Sequence, residues 1–241
     1  MEQNGTDVVI LCGGLGTRLR TIVSDLPKCM VPIHGKPFLR ILVEYLVSKG
    51  FKRFILCTGY KAEIIHSHFC DEKKVSVVFS KEKTHLGTGG GLKHCEQCLN
   101  SSTTLVVNGD SFCPLDFDAL FRFHELRGCL ATIVVSDTKD RTDGANVQLD
   151  NKQRVVCFSE KQSISNFLNT GVYLIRRDLL ARIPENSVCS LERELFPALT
   201  SDELSGFVTS EIVYDIGTPE RLEQFQRAYP GLFQRHIVKI K

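Results

Sequence analysis

The segment Gly13-Gly14-Leu15-Gly16-Thr17-Arg18-Leu19 stands directly after a short apolar run, Val8-Val9-Ile10-Leu11-Cys12. Glycines let a backbone approach a bulky anion, and the bare N–H groups of such a loop bind phosphate oxygens. Arg18 adds a positive charge at the end of the loop. Two familiar phosphate loops do not fit. The dinucleotide fingerprint would place its third glycine at Leu19 and needs an acidic residue near Thr58, and a Walker A loop would close with Gly-Lys-Ser/Thr. Lys28 follows in Pro27-Lys28-Cys29, and a second glycine cluster, His85-Leu86-Gly87-Thr88-Gly89-Gly90-Gly91, lies further along. Asp110 ends Asn108-Gly109-Asp110 after the run Leu105-Val106-Val107, and Asp215 follows Ile212-Val213-Tyr214. One aspartate in such a place is by default a turn former or helix cap. Two at the ends of apolar runs, with glycine loops and cations, point to a divalent-metal and polyphosphate site.

These segments need a scaffold that gathers run ends on one side. The apolar runs at 8–12, 54–57, 75–79, 105–107 and 130–135 read as strands, and between them lie helical stripes. Phe38, Ile41, Leu42, Tyr45 and Leu46 form one stripe, stopped by Lys49 and Gly50, and Asp116 caps another with Phe117, Leu120, Phe121 and His124 on one face. Ile64, Ile65 and Phe69 mark a short helix, and 88–99 reads as one more. Strand and helix in alternation predict an α/β fold: a Rossmann-like, mainly parallel sheet with helices on both faces. Ala145–Leu149 and Arg154–Phe158, joined by a polar turn, resemble a hairpin, and Thr218-Pro219 opens a last helix. Ligands of open α/β sheets bind beyond the carboxyl ends of the strands, where the candidate residues stand.

The chain has 241 residues, 42% of them hydrophobic and 24% charged, with a net charge of +2. That composition excludes a disordered chain and gives no support to a polyanion-binding surface, so no nucleic-acid partner is expected. No apolar stretch approaches the ~18 residues of a membrane span, and the first residues carry no basic region before an apolar one. The expectation is a soluble, cytoplasmic protein of one domain, without a membrane partner. Ten cysteines are spread along it, and the lone Cys95-x-x-Cys98 lacks the second pair a structural zinc would want. They read as reduced, mostly buried thiols.

The ordered motifs resemble the sugar-1-phosphate nucleotidyltransferases, also called NDP-sugar pyrophosphorylases. Gly-Gly-x-Gly-Thr-Arg-Leu stands at 13–19, Pro-Lys at 27–28, Leu-Gly-Thr-Gly-Gly at 86–90 and Gly-Asp at 109–110. Glu-Lys at 160–161, Asn-Thr-Gly at 169–171 and Asp-Ile-Gly-Thr-Pro at 215–219 complete a match from about residue 7 to 228. In texture the chain is most similar to D-glycero-D-manno-heptose 1-phosphate guanylyltransferases, with mannose- and glucose-1-phosphate enzymes as alternatives. Cys29 departs from the proline usual after Pro-Lys, and the left-handed β-helix of larger relatives is not expected.

The resemblance implies a GT-A-like nucleotidyltransferase fold with a small hairpin-containing sugar-binding part. Residues 7–143 would mainly bind nucleotide, and 144–228 would mainly bind sugar phosphate and supply the second metal aspartate. It implies the reaction of a nucleoside triphosphate with a sugar 1-phosphate to give an NDP-sugar and pyrophosphate. Arg18, Lys28 and Asp110 would be catalytic, with Mg²⁺ held by Asp110 and Asp215. Leu11, Gly13, Gly14, Gly16, Thr17, Glu82, Gly87 and Thr88 would meet the nucleotide. Gly144, Glu160, Lys161, Asn169 and Thr170 would meet the sugar phosphate. A homo-oligomer is left open. Two other classes compete: a sugar-transferring glycosyltransferase, which would typically show an Asp-x-Asp missing at 108–111, and a non-catalytic nucleotide-sugar binder.

Glu82 bears on the base. Guanine presents adjacent N1–H and N2–H donors that one carboxylate can accept together, whereas uracil and thymine offer one N–H between acceptors. Glu82 lies between Lys81 and Lys83, the pattern of a surface charge pair, but it also runs into the second glycine cluster. With the resemblance, it implies that GTP is the preferred nucleotide.

Overall fold

The structure, a computed structural model, describes residues 3–14, 25–137, 146–159 and 167–236. Its strands are β1 (Asp7–Leu11), β2 (Pro32–Ile33), β3 (Lys36–Pro37), β4 (Arg53–Thr58), β5 (Ser76–Lys81), β6 (Thr103–Asn108), β7 (Ser111–Phe112), β8 (Ala131–Ser136), β9 (Asn146–Leu149), β10 (Val155–Ser159), β11 (Phe167–Arg176), β12 (Leu204–Thr209) and β13 (Tyr214–Asp215). Its helices are α1 (Phe38–Ser48), α2 (Ala62–Phe69), α3 (Gly87–His94), α4 (Phe117–Arg127) and α5 (Pro219–His236).

The central sheet runs β10-β9-β11-β6-β1-β4-β5, with β8 on β11 and β12 beyond β8. Pairing of β1 with β4 and β6, of β4 with β5, and of β12 with β8 is parallel. The sheet is mainly parallel, as the alternation of strand and helix requires; β11 and β10 run against the rest. Successive strand residues feed two different cores. Val8 and Ile10 pack on one face with Phe38, Leu42, Ile65, Leu120 and Phe225, and Val9 packs on the other with Leu92, Leu179, Leu191 and Phe196. A strand covered on both faces has no polar side, which is why β1, β4 and β6 read as continuous apolar runs.

The α1 stripe is buried as its spacing predicts, and Asp116 caps α4 by accepting from Ala119 N at 2.9 Å. The hairpin forms between β9 and β10, its turn closed by Asp150 Oδ1 accepting from Lys152 N and Arg154 N at 2.8 and 2.9 Å. One helix is shorter than its pattern. Residues 88–99 divide into α3 and a separate 3₁₀ turn at Glu96–Cys98, because the chain leaves the α-helix at Cys95, buried with its thiol on Leu92 O. All ten cysteines are free thiols. No helix among the described residues is long and apolar enough to cross a membrane.

No pattern announces the long strands β12 and β11, and of the two β11 lies nearer the centre of the sheet. It enters between β6 and β8 and carries an irregularity: Asn169 faces Val135 and Tyr173 faces Ile133, so β11 advances four residues while β8 advances two. Gly171 takes φ +75° inside this bulge, where a β-carbon would fall 2.7 Å from Asn108 Nδ2. Bulges of this kind re-aim side chains and cluster beside active sites.

Candidate active site

A cleft opens at the carboxyl ends of β1, β4 and β6. Leu11, Cys12, Gly13 and Gly14 line it from the first loop, and Gly87 and Thr88 from the second. Lys28, Glu82, His85, Asn108 and Asp110 complete the ring of polar groups. The loop after β1 is anchored by Cys12 N donating to Cys57 O at 2.8 Å, and Gly109 N donates to Leu11 O at 3.0 Å. Strand ends of β1, β4 and β6 are thereby tied together, and the segments between apolar runs converge.

Lys28 opens a 3₁₀ turn after the extended Pro27, with Cys29 and Met30 buried beneath it. Its own side chain lines the cleft, where it forms an ion pair with Asp110. Asp110 is fixed from two directions. Its carbonyl accepts from Ile216 N at 3.0 Å, and Ser111 beside it pairs with Asp215 in the short ladder of β7 with β13. That ladder brings together two aspartates far apart in the chain. Asp215 accepts from Gly217 N at 2.8 Å and from Arg221 Nη1 at 3.0 Å. The result is a patch of two carboxylates, each matched by a cation.

Among the described residues, no three His, Cys, Asp or Glu side chains stand at metal-ligand spacing. Two hard carboxylates beside a glycine-lined cleft nevertheless suit a divalent cation. Mg²⁺ binds through one or two carboxylates and takes its remaining ligands from water and substrate phosphates. Asp110 and Asp215 are the residues that would hold it.

Glu82 is no surface charge. It is 7% exposed, with Oε2 accepting from Leu86 N at 3.0 Å, and burial pushes its carboxyl above the ordinary value. Its other oxygen is crowded by α3, where a β-carbon on Gly91 would lie 2.6 Å from Oε1. The second glycine loop is held down by the segment after Ser187: Gly89 N and Gly90 N both donate to Cys189 O, at 2.9 and 3.1 Å, and Cys189 N donates to Leu86 O at 2.9 Å.

Asn169 lies on the β11 bulge, its Oδ1 accepting from Gly171 N and its Nδ2 donating to Tyr173 OH, both at 3.0 Å. Thr170 differs from its expected place in the sugar wall. It is buried, and its hydroxyl donates at 2.9 Å to Val134 O, the β8 carbonyl that the bulge skips. Its side chain serves the sheet. Gly16, Thr17, Arg18, Gly144, Glu160 and Lys161 lie outside the described residues. Three polar residues of this region carried no motif: Arg221 on Asp215, Tyr173 behind Asn169, and Glu192, which contacts both Tyr173 and Thr88. Only Arg221 left a local signal, a cation in the first turn of the helix opened by Thr218-Pro219.

Comparison with known proteins places the chain among relatives of similar sequence and fold. The chain is 36% identical over 219 residues to D-glycero-alpha-D-manno-heptose 1-phosphate guanylyltransferase of Campylobacter jejuni, covering 90% of this chain and 97% of that protein. It is 34% identical over 227 residues to mannose-1-phosphate guanylyltransferase of Mycobacterium tuberculosis, covering 91% of this chain but only 63% of that longer one. The crystal structure of HddC from Yersinia pseudotuberculosis complexed with GMP-PN superposes with a TM-score of 0.84 at 33% identity, over 93% of this chain and 99% of that one. The inositol-1-phosphate CTP transferase of T. maritima shares the fold, with a TM-score of 0.80 at 18% identity over 96% and 98% of the two chains. A model of the nucleotidyl transferase family matches residues 7–230, which includes both glycine loops, both aspartates and the ladder that joins them. The chain belongs to the nucleotidyl transferase family.

Proposed function

We propose that the protein transfers a guanylyl group from GTP to a sugar 1-phosphate, releasing pyrophosphate, and that the sugar is D-glycero-D-manno-heptose 1-phosphate. The observation that carries the nucleotide choice is the buried Glu82 carboxylate on the wall of the cleft. A buried acceptor with two oxygens rejects a base that cannot donate twice, because the unmatched group keeps its desolvation cost. The heptose rests on similarity along nearly the full length of the Campylobacter protein, and mannose 1-phosphate is the second reading.

In this reaction an oxygen of the sugar phosphate attacks the α-phosphorus of GTP in line, and pyrophosphate leaves. No enzyme nucleophile is needed. Two polyanions must be brought together, so positioning and charge neutralisation carry the catalysis. Gly13 and Gly14 offer backbone N–H groups to the nucleotide, and Arg18 belongs with the leaving pyrophosphate. Lys28 exchanges its Asp110 partner for nucleotide phosphate oxygens. Lys161 receives the sugar phosphate, while Gly144, Glu160 and Asn169 meet sugar hydroxyls. Asp110 and Asp215 would hold a divalent cation, which would supply positive charge to offset that of the phosphates.

The test is pyrophosphate release with Mg²⁺, the four NTPs and a panel of sugar 1-phosphates. Turnover with GTP and the heptose phosphate is expected. Equal use of GTP, UTP and dTTP would sink the guanylyl reading, and no turnover with any pair would leave a binding protein.

A further inference from the structure

Three hydroxyls converge on Glu192. Thr88 Oγ1 donates to Oε2 at 2.8 Å, Ser190 Oγ donates to the same oxygen at 3.0 Å, and Tyr173 OH donates to Oε1 at 2.9 Å. The direction of each bond is fixed by what else the hydroxyl does, since it has one proton and two lone pairs. Thr88 already accepts from Leu191 N at 2.8 Å, so its proton goes to Glu192. Tyr173, fully buried, accepts from Asn169 Nδ2 at 3.0 Å and is approached by the Asn108 side chain as well, so its proton also goes to Glu192. The carboxylate is the common acceptor of a cluster that starts at the second glycine loop and ends at the β11 bulge.

A local structural duty does not account for this arrangement. Glu192 lies in a π-helical turn, Leu191–Leu195, whose start is already capped by Ser190 Oγ accepting from Arg193 N and by Glu194 accepting from Ser190 N. Thr88 lines the cleft at its nucleotide side. Asn169 stands at the other end, with the second hydrogen of its amide lacking a partner among the described residues.

We propose that Glu192 is a positioning residue that orients Thr88 on the nucleotide side and Asn169 on the sugar side at once, making the two half-sites one rigid unit. This rests on the guanylyl-transfer reading for its substrates, but not for its geometry. An indirect role of this kind is expected where a site must hold two reactants in a fixed relation.

Glu192→Gln tests it sharply. An amide has one acceptor end, and that end will turn to Oε2's place, where two hydroxyls donate. Its NH₂ then faces Tyr173, whose two lone pairs Asn169 and Asn108 already share, so a third donor there loosens the hold on Asn169. The KM for the sugar 1-phosphate should rise about 10-fold, the scale of one buried polar group losing its partner, while the KM for GTP stays nearly unchanged. Tyr173→Phe should give the same rise, and the double variant should add nothing, because both break one chain of bonds. The side-chain amide resonances of Asn169 should move in Glu192→Gln whether or not substrate is present. An unmoved KM for the sugar 1-phosphate or an unmoved Asn169 amide would overturn the proposal. Wild-type protein that forms no pyrophosphate would overturn the reaction instead, and the amide resonances would still decide the positioning role.

Discussion

Glu82 Oε1 fills the space where a β-carbon on residue 91 would have to be, 2.6 Å away. The glycine in α3 is there for the carboxylate. Gly91→Ala must push the carboxyl aside, while alanine itself favours the helix by up to ~1 kcal/mol. Thermal stability should therefore change little, and selectivity should suffer. The expected outcome is a fall in the kcat/KM ratio of GTP over inosine triphosphate, which lacks the 2-amino group. An unchanged ratio would detach Glu82 from base recognition.

Glu82→Gln should separate function from stability. Burial raises the carboxyl's pKa in the folded chain, so the unfolded chain loses that proton first as pH rises. Stability from this group therefore declines as pH climbs above the ordinary carboxylate value near 4.5. The glutamine variant lacks that decline. It should melt at or above the wild-type temperature at pH 7, with the advantage shrinking towards pH 4, and it should lose preference for GTP. A variant less stable at neutral pH with its preference intact would contradict both halves.

Asp110→Asn and Asp215→Asn should each cost at least ~10²-fold in kcat, the scale of losing one preorganised electrostatic group. Each should also need more Mg²⁺ for half-maximal rate. Circular dichroism should show the fold intact, because asparagine keeps the shape of each side chain and one acceptor oxygen. Turnover near the wild-type rate in either variant, read by pyrophosphate release, would remove that residue from the metal site.

His124 predicts an acid sensitivity far from the cleft. It is buried with Nδ1 2.8 Å from Thr132 Oγ1, and burial lowers its pKa to about 4. Below pH 6.5 the unfolded chain takes up a proton that the folded chain refuses, so stability falls as pH drops from 6.5 towards 4. The share due to this group is on the order of 3 kcal/mol at full effect. His124→Gln should flatten that part of the curve when urea midpoints are compared at pH 7, 5 and 4. Parallel curves would show that His124 is not its source.

The strand ends were legible because local residues carry them: an apolar run covered on both faces, then glycine or aspartate. Asp110 and Asp215 stood out for the same reason, but the β7–β13 ladder that brings their segments together is two residues a side and carries no pattern. Glu82 was legible only in part. Its lysine neighbours resemble a solvated face, and its burial comes from room left by glycines on two other segments. Glu192 was not legible at all. Glu-Arg-Glu reads as exposed charge, and its meaning lies in contacts with Thr88 and Tyr173, 104 and 19 residues away. Thr170 illustrates the opposite error. Its motif points to the cleft, but the two-residue slip of β11 against β8 turns its hydroxyl to a skipped carbonyl.

The seat of β11 in the sheet has a consequence for how the chain is made. β6 and β8 are neighbours in sequence order among the long strands, yet β11 stands between them, paired to both. During synthesis, β1, β4, β5 and β6 can associate early, but β8 and β12 have no place on that sheet until residues 167–176 have emerged. Long-range pairing of this sort is slow, since loop closure precedes the contacts that reward it. A nascent chain halted before residue 167 would hold β6 with an open edge, available to strands of other chains. Truncation there should yield an aggregating fragment, so residues 7–143 are not a unit of folding by themselves.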